Sequence, residues 1–250
     1  MSKLILKSLL VHSVDSDKSF YTDFNEAINI IHGRNTSGKS TLIQSIIYSM
    51  GINDSKENLD DINTGNVFFR LNCSLENNNE KTSLVFVRSD DTLILRQDEE
   101  KPIRFDGING NGSYEHTRYK ELLSNILGFD LTLQKQSELV SAPLETAFLP
   151  YYISQSVGWV YIRESIGDHR FYKDFKFDYL DYYTGIESSH DRVKKYNLEK
   201  EKKEITFEIK QMDDYESRDD DLKVSKILEE RYQGKAGDFL KNHQQINSEL

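Results

Sequence analysis

Gly33-Arg34-Asn35-Thr36-Ser37-Gly38-Lys39-Ser40-Thr41 constrains the fold of this 250-residue chain more than any other stretch. It fits G-x-x-x-x-G-K-[ST]. The apolar run Ala27-Ile28-Asn29-Ile30-Ile31-His32 precedes it and suits a buried strand. Leu42, Ile43, Ile46, Ile47 and Met50 follow at helical spacing, and Gly51 stops the pattern. Strand, glycine-rich loop and helix are what anion binding needs. The glycines let successive backbone N–H groups turn toward one anion. The helix N-terminus adds the positive end of its dipole. The segment therefore predicts a phosphate-binding loop in an α/β fold. Gly33 to Thr41 would cradle the phosphates of ATP, with Lys39 reaching the outer ones and the Ser40 hydroxyl ligating magnesium.

Composition narrows the rest. Hydrophobic residues make up 37% of the chain and charged residues 30%. That is less apolar than an average globular domain, so part of the chain should be exposed helix rather than packed core. Fourteen Tyr and 13 Phe still supply material for a core. No run approaches the length of a membrane span. Lysines break Met1-Ser2-Lys3-Leu4-Ile5-Leu6-Lys7 too soon for a signal peptide. Cys73 is the only cysteine, which rules out an internal disulfide and a cysteine-built metal site. The cytoplasm is the expected compartment. The net charge of −10 removes a whole-chain basic field as an argument for nucleic acid, though a local basic face stays possible.

In chain order, Leu4 to Val14 and Phe20 to Phe24 read as strands around a polar turn. After the first helix, the polar stretch from Asn53 to Gly65 has no period. Val67, Phe69, Leu71, Cys73 and Leu75 then alternate as a half-buried antiparallel strand. Leu84 to Val87, Leu93 to Leu95 and an edge strand at Pro102 to Phe105 complete a meander. Gly107 to Tyr114 is a loop, and Tyr119 to Leu127 a helix ending at Gly128. Ala147 to Ile153 reads as an apolar strand, and the aromatic stretch from Phe171 to Tyr183 as a helix. From about Ser188, Lys and Glu dominate. Leu198, Ile205 and Met212 lie seven apart, which suits a coiled coil or a solvated single helix. Two parts are expected: an ATP-binding lobe over 1–187 and a charged helical arm over 188–250.

The first 160 residues resemble the N-terminal half of the head of SMC-type ATP-binding-cassette ATPases. That group spans chromosome-organising, break-repair and anti-phage ATPases. Two strands before I-N-I-I-H-G, asparagine at the third loop position, a meander after the first helix and a glutamine ahead of a charged helix carry the resemblance. It implies a P-loop ATPase lobe with an antiparallel meander, then helices and the start of a coiled-coil arm. It implies that Gln155 joins Ser40 around magnesium and senses the γ-phosphate. Gln134 and Gln136 also follow an apolar stretch and compete for that role. It further implies a C-terminal head half, a second head in a homodimer, DNA, and an accessory effector subunit as partners, and no membrane.

Two departures stand out. The family's Asn-Gly-[SA]-Gly is Asn35-Thr36-Ser37-Gly38 here, so Thr36 either avoids positive φ or carries strain. No apolar strand ending in Asp-Glu is present, so no catalytic residue is assigned in this chain. The chain reads as ending inside the arm, as one part of a longer or split protein. Two other classes fit the loop alone. A small-molecule kinase would not need the meander or the charged helix, and an interaction module would use nucleotide only as a structural ligand.

Overall fold

The computed structural model describes residues 3–53, 66–77, 80–110, 112–153, 166–167 and 169–233. The chain divides into two compact units, Met1–Ser189 and His190–Leu250.

The first unit is built on a six-stranded sheet: β1 (Lys3–Ser13), β2 (Lys18–Asp23), β3 (Val67–Asn77), β4 (Glu80–Ser89), β5 (Thr92–Gln97) and β6 (Ile103–Asp106). The order is β2-β1-β3-β4-β5-β6, and every neighbouring pair is antiparallel. Alternating side chains sort the sheet into two faces. One cross-strand row reads Phe20, Val11, Phe69, Arg88, Leu93, Phe105. Four of these, from Phe69 to Phe105, are almost fully buried. The next row reads Tyr21, Leu10, Arg70, Val87, Ile94, Arg104 and belongs to the opposite, more open face. The core lies where Leu9, Leu71, Phe86, Leu93, Leu95 and Phe105 meet two helices, α1 (Lys39–Ser49) and α2 (Tyr114–Leu127). Ile46, Ile47 and Met50 come from α1 and its C-cap, and Tyr119 and Leu123 from α2.

The helix α2 starts five residues before the expected Tyr119. Ser113 caps it, its hydroxyl accepting the His116 N–H at 3.1 Å, and Gly128 closes it at φ 67°. Downstream lies a second, smaller sheet, β7 (Thr132–Lys135), β8 (Glu138–Ser141) and β9 (Tyr172–Lys173), in the order β8-β7-β9. Sequence reading does not resolve this sheet. Its core joins Leu131, Leu133, Ala142 and Leu149 to Phe175 of α4 (Phe175–Thr184). The expected strand from Ala147 to Ile153 is instead the short helix α3 (Glu145–Phe148) and a turn. The two cores give the reason. Phe148 belongs to the main core and Leu149 to the second. A helical turn separates neighbouring side chains by about 100°, so adjacent residues serve different cores.

The expected buried strand at 27–32 also differs. The segment takes no regular secondary structure and pairs with no described strand, and Ile28 and Ile30 are 79% and 84% exposed. The sheet ends at β2 on one side and β6 on the other, and this apolar run pairs with neither edge. A β-bulge at Lys7 sets its departure. The Lys7 carbonyl takes the Phe24 N–H at 2.8 Å, and the Lys7 ammonium pairs with Glu26.

In the second unit one element dominates, the helix α5 (Ser189–Gln233), which starts at the unit boundary. Leu198, Ile205 and Met212 are exposed along it. Among the described residues no helix is long and apolar enough to cross a membrane.

Cys73 reports on the main core. Burial pushes its thiol up to about 12 from 9.0. The neutral thiol therefore favours the fold below about pH 9, and that contribution is lost as pH rises toward 12. At pH 8 the native chain should resist iodoacetamide, with a thiolate fraction about a thousandfold below that of the unfolded chain. Mass spectrometry with and without urea checks this; rapid labelling of the native chain would contradict the packing of β3.

Candidate nucleotide-binding site

The loop from Gly33 to Gly38 is exposed throughout and leads straight into α1. Two left-handed residues shape it, Thr36 at φ 62° and Gly38 at φ 81°. Gly38 is the N-cap of α1 and brings no side chain to its first-turn amides. Those amides are the donors that an anion uses at a helix start. A Cβ at Gly33 would lie 2.6 Å from the Ser37 hydroxyl, so the loop closes tightly there. Thr36 is where the family pattern has glycine. It carries the strain that the sequence leaves open, about 1–3 kcal/mol for a non-glycine residue held in this region.

Lys39 folds back over the loop. Its ammonium donates to the carbonyls of Gly33 at 3.1 Å and Arg34 at 2.7 Å, and lies 3.4 Å from the Ser37 hydroxyl. These neutral acceptors place a cation at the loop's mouth. A phosphate offers the same ammonium charged oxygens, which form stronger hydrogen bonds. Ser40 sits in the first turn of α1, directly after Lys39. The structure thus brings Gly33, Arg34, Asn35, Thr36, Ser37, Gly38, Lys39, Ser40 and Thr41 together as one loop and helix start. Gln155 lies outside the described residues, as does Trp159. The rivals are placed in a hairpin: Gln134 belongs to β7, and Gln136 takes φ 57° in the turn before β8.

The fit to a nucleotide's phosphates therefore rests on backbone donors, a glycine that opens the helix start and one cation. A family model described as an AAA domain matches residues 3–250. The chain belongs to the SMC-like AAA-domain ATPases. It is also 30% identical over 171 residues to the Lamassu protein LmuB of Bacillus cereus (strain VD014). That match takes in 64% of this chain and 26% of the relative, so the chain spans about a quarter of the relative's length. Within this family's ATPase-head half, the chain has the glycine-containing loop at 33–38 ahead of α1 and the antiparallel meander after it in sequence.

Sequence reading misses the residues that hold the far end of α1. Arg88, His116 and Tyr119 each reach a backbone carbonyl there. Arginine in an alternating strand and histidine on an amphipathic helix read as ordinary surface or core residues. Only the cross-strand register shows that Arg88 points inward.

Gly38→Ala tests the loop's geometry. Nothing lies within 4 Å of the added carbon, so the penalty comes from the backbone alone. It should be about 1 kcal/mol of stability at φ 81°, with magnesium-ATP binding weakened at least about tenfold as the helix start re-forms. Urea unfolding and calorimetry on the same variant check both. Unchanged affinity would show that the left-handed N-cap is not used.

Proposed function

We propose that this chain is the ATP- and magnesium-binding N-terminal half of an SMC-like ATPase head. The observation that carries the reading is the Lys39 ammonium held across the loop mouth by Gly33 and Arg34, at the uncapped start of α1. Lys39 meets the β- and γ-phosphates, loop amides meet the phosphate oxygens, and the Ser40 hydroxyl ligates magnesium. Gln155 completes the metal's surroundings and responds to the γ-phosphate. Bound magnesium neutralises charge on the outer phosphates; this chain's residues bind and orient them.

The uncovered run Ile28-Asn29-Ile30-Ile31 supports a C-terminal head half as the first partner. An unpaired apolar segment with exposed side chains is suited to join strands from another part of the head. ATP then joins this head to a second one in a homodimer, and the exposed Leu198, Ile205 and Met212 of α5 begin a coiled-coil arm. DNA is the proposed substrate of the assembly. The row Tyr21, Leu10, Arg70, Val87, Ile94, Arg104 puts Arg70 and an aromatic ring on the open sheet face, beside Arg104, which pairs with Asp106. Of the family's roles, anti-phage defence with an accessory effector subunit fits the Lamassu relative, and DNA repair and chromosome organisation are the other two. The cytoplasm is the proposed compartment.

Lys39→Ala separates site from fold. The loop is exposed, so the variant should unfold within a degree or two of the parent. Its magnesium-ATP affinity should fall at least about tenfold, the loss of one charge-assisted contact set. The parent chain alone should turn over ATP negligibly, because no residue in it is assigned to position the attacking water. Equal affinities would remove the nucleotide reading. Robust turnover abolished by Lys39→Ala would favour a self-sufficient enzyme such as a kinase.

A further inference from the structure

The helix α1 is anchored most deeply at its C-terminal end. Ser45, Ile46, Ile47, Tyr48, Ser49 and its C-cap Met50 are buried, whereas Ser40 and the loop before it are exposed. Leu42 and Ile43 are part-buried against the same core, and the loop projects beyond them at the open end of the helix. Eleven residues span about 16 Å, so a tilt of about 10° at the anchor moves the loop by about 3 Å. Phosphate binding through several amides and one ammonium tolerates far less misplacement than that.

Two side chains from outside the helix donate to carbonyls at its C-terminal end, and a third, His116, lies beside the next carbonyl. Arg88 of β4 donates to the Tyr48 carbonyl at 2.9 Å. The Tyr119 hydroxyl of α2 donates to the Met50 carbonyl at 2.5 Å. One turn earlier on α2, His116 Nε2 lies 3.3 Å from the Gly51 carbonyl. Gly51 sits at φ 77°, and a Cβ there would lie 2.3 Å from the Tyr119 ring, so glycine is what admits that ring. Arg88 does more than cap. Its other nitrogen donates to the side-chain oxygens of Asn53 at 2.6 Å and Asn109 at 2.9 Å, and its guanidinium lies 3.6 Å over the Tyr48 ring. A cation at this end also complements the helix dipole, whose other end faces the phosphates. The residue is fully buried.

We propose that Arg88, Tyr119 and His116 are positioning residues for nucleotide binding: they aim the phosphate loop by fixing the opposite end of α1. The proposal rests on the nucleotide reading of the loop. It makes a distinction that simple core stability does not. Loosening the clamp should weaken nucleotide binding in a chain that is still folded, whereas loosening the same core elsewhere should not.

The experiment compares magnesium-ATP affinity and thermal unfolding across four full-length variants. Tyr119→Phe removes one hydroxyl and keeps the ring. Arg88→Lys keeps the charge and loses the fork that reaches three oxygens. Leu84→Val thins the same core four residues along β4, and Lys39→Ala marks loss of the site itself. Tyr119→Phe and Arg88→Lys should each bind about three- to tenfold more weakly at a temperature where circular dichroism shows them folded. Leu84→Val should lower the unfolding temperature with affinity unchanged. If Arg88→Lys does not fold, Tyr119→Phe decides alone. Parent-like affinity in Tyr119→Phe, with Lys39→Ala impaired, overturns the proposal and leaves the nucleotide reading standing. No binding by the parent chain overturns both.

Discussion

The buried guanidinium of Arg88 is the interaction on which the rest of the lobe depends. Burial lowers its pKa from the ordinary arginine value, and Tyr48, Tyr119 and Asp90 oppose that shift. A charge taken out of water is tolerable only where fixed oxygens replace the water. Here those oxygens come from distant parts of the chain: the Tyr48 carbonyl, Asn53 and Asn109. Asn109 is held in turn by Asp90 and Asp91 of the β4–β5 turn, at 2.9 and 2.8 Å. Gly107 and Ile108 also donate to the Asp91 carbonyl, and Asn53 donates to Ile108. Satisfying one cation therefore fixes where α1, the hairpin turn and the loop before α2 meet. A hydrophobic residue in the same place would fill space without specifying that meeting point.

The two ends of α1 contrast in every respect that matters for binding. Its C-terminal end is buried, its carbonyls matched by donors. Its N-terminal end is open, shaped by a strained Thr36 and by Gly38. A rigid base with an adaptable mouth is a common division where a site must admit and release a charged ligand. His116 adds a detail to the base. Its two ring nitrogens each lie 3.3 Å from a carbonyl, of Gly110 and Gly51. Burial first, and then Lys120, hold its pKa below the usual histidine range, so the neutral ring donates to one of them.

Much of this was legible in the sequence, for identifiable reasons. The loop-to-helix junction at 33–41 was legible because glycines break the chain there and Leu42, Ile43, Ile46 and Ile47 follow at helical spacing. The meander was legible because Phe69, Leu71, Cys73 and Leu75 alternate, and the sheet shows the same alternation in its burial. The run at 27–32 was misread, because apolar composition indicates a strand and cannot say whether its neighbours are at hand. The β7-β8-β9 sheet went unseen because its strands are two to four residues long, too short for a period. The turn at α3 was hidden because one apolar run feeds two cores. The clamp was hidden because it depends on register and on carbonyl positions, which side-chain patterns do not encode. Gln155, expected from the family resemblance, lies outside the described residues.

Hydrogen exchange of α1, read by mass spectrometry in the parent chain with and without magnesium-ATP, tests the central claim most directly. Amides from Ser45 to Met50 should be strongly protected in both states, because the clamp holds that end without nucleotide. Amides from Arg34 to Ser40 should exchange freely in the chain alone and become protected when nucleotide binds. Uniform protection along the helix in both states, or a C-terminal end that becomes protected only with nucleotide, would contradict a helix clamped at its base and aimed from there.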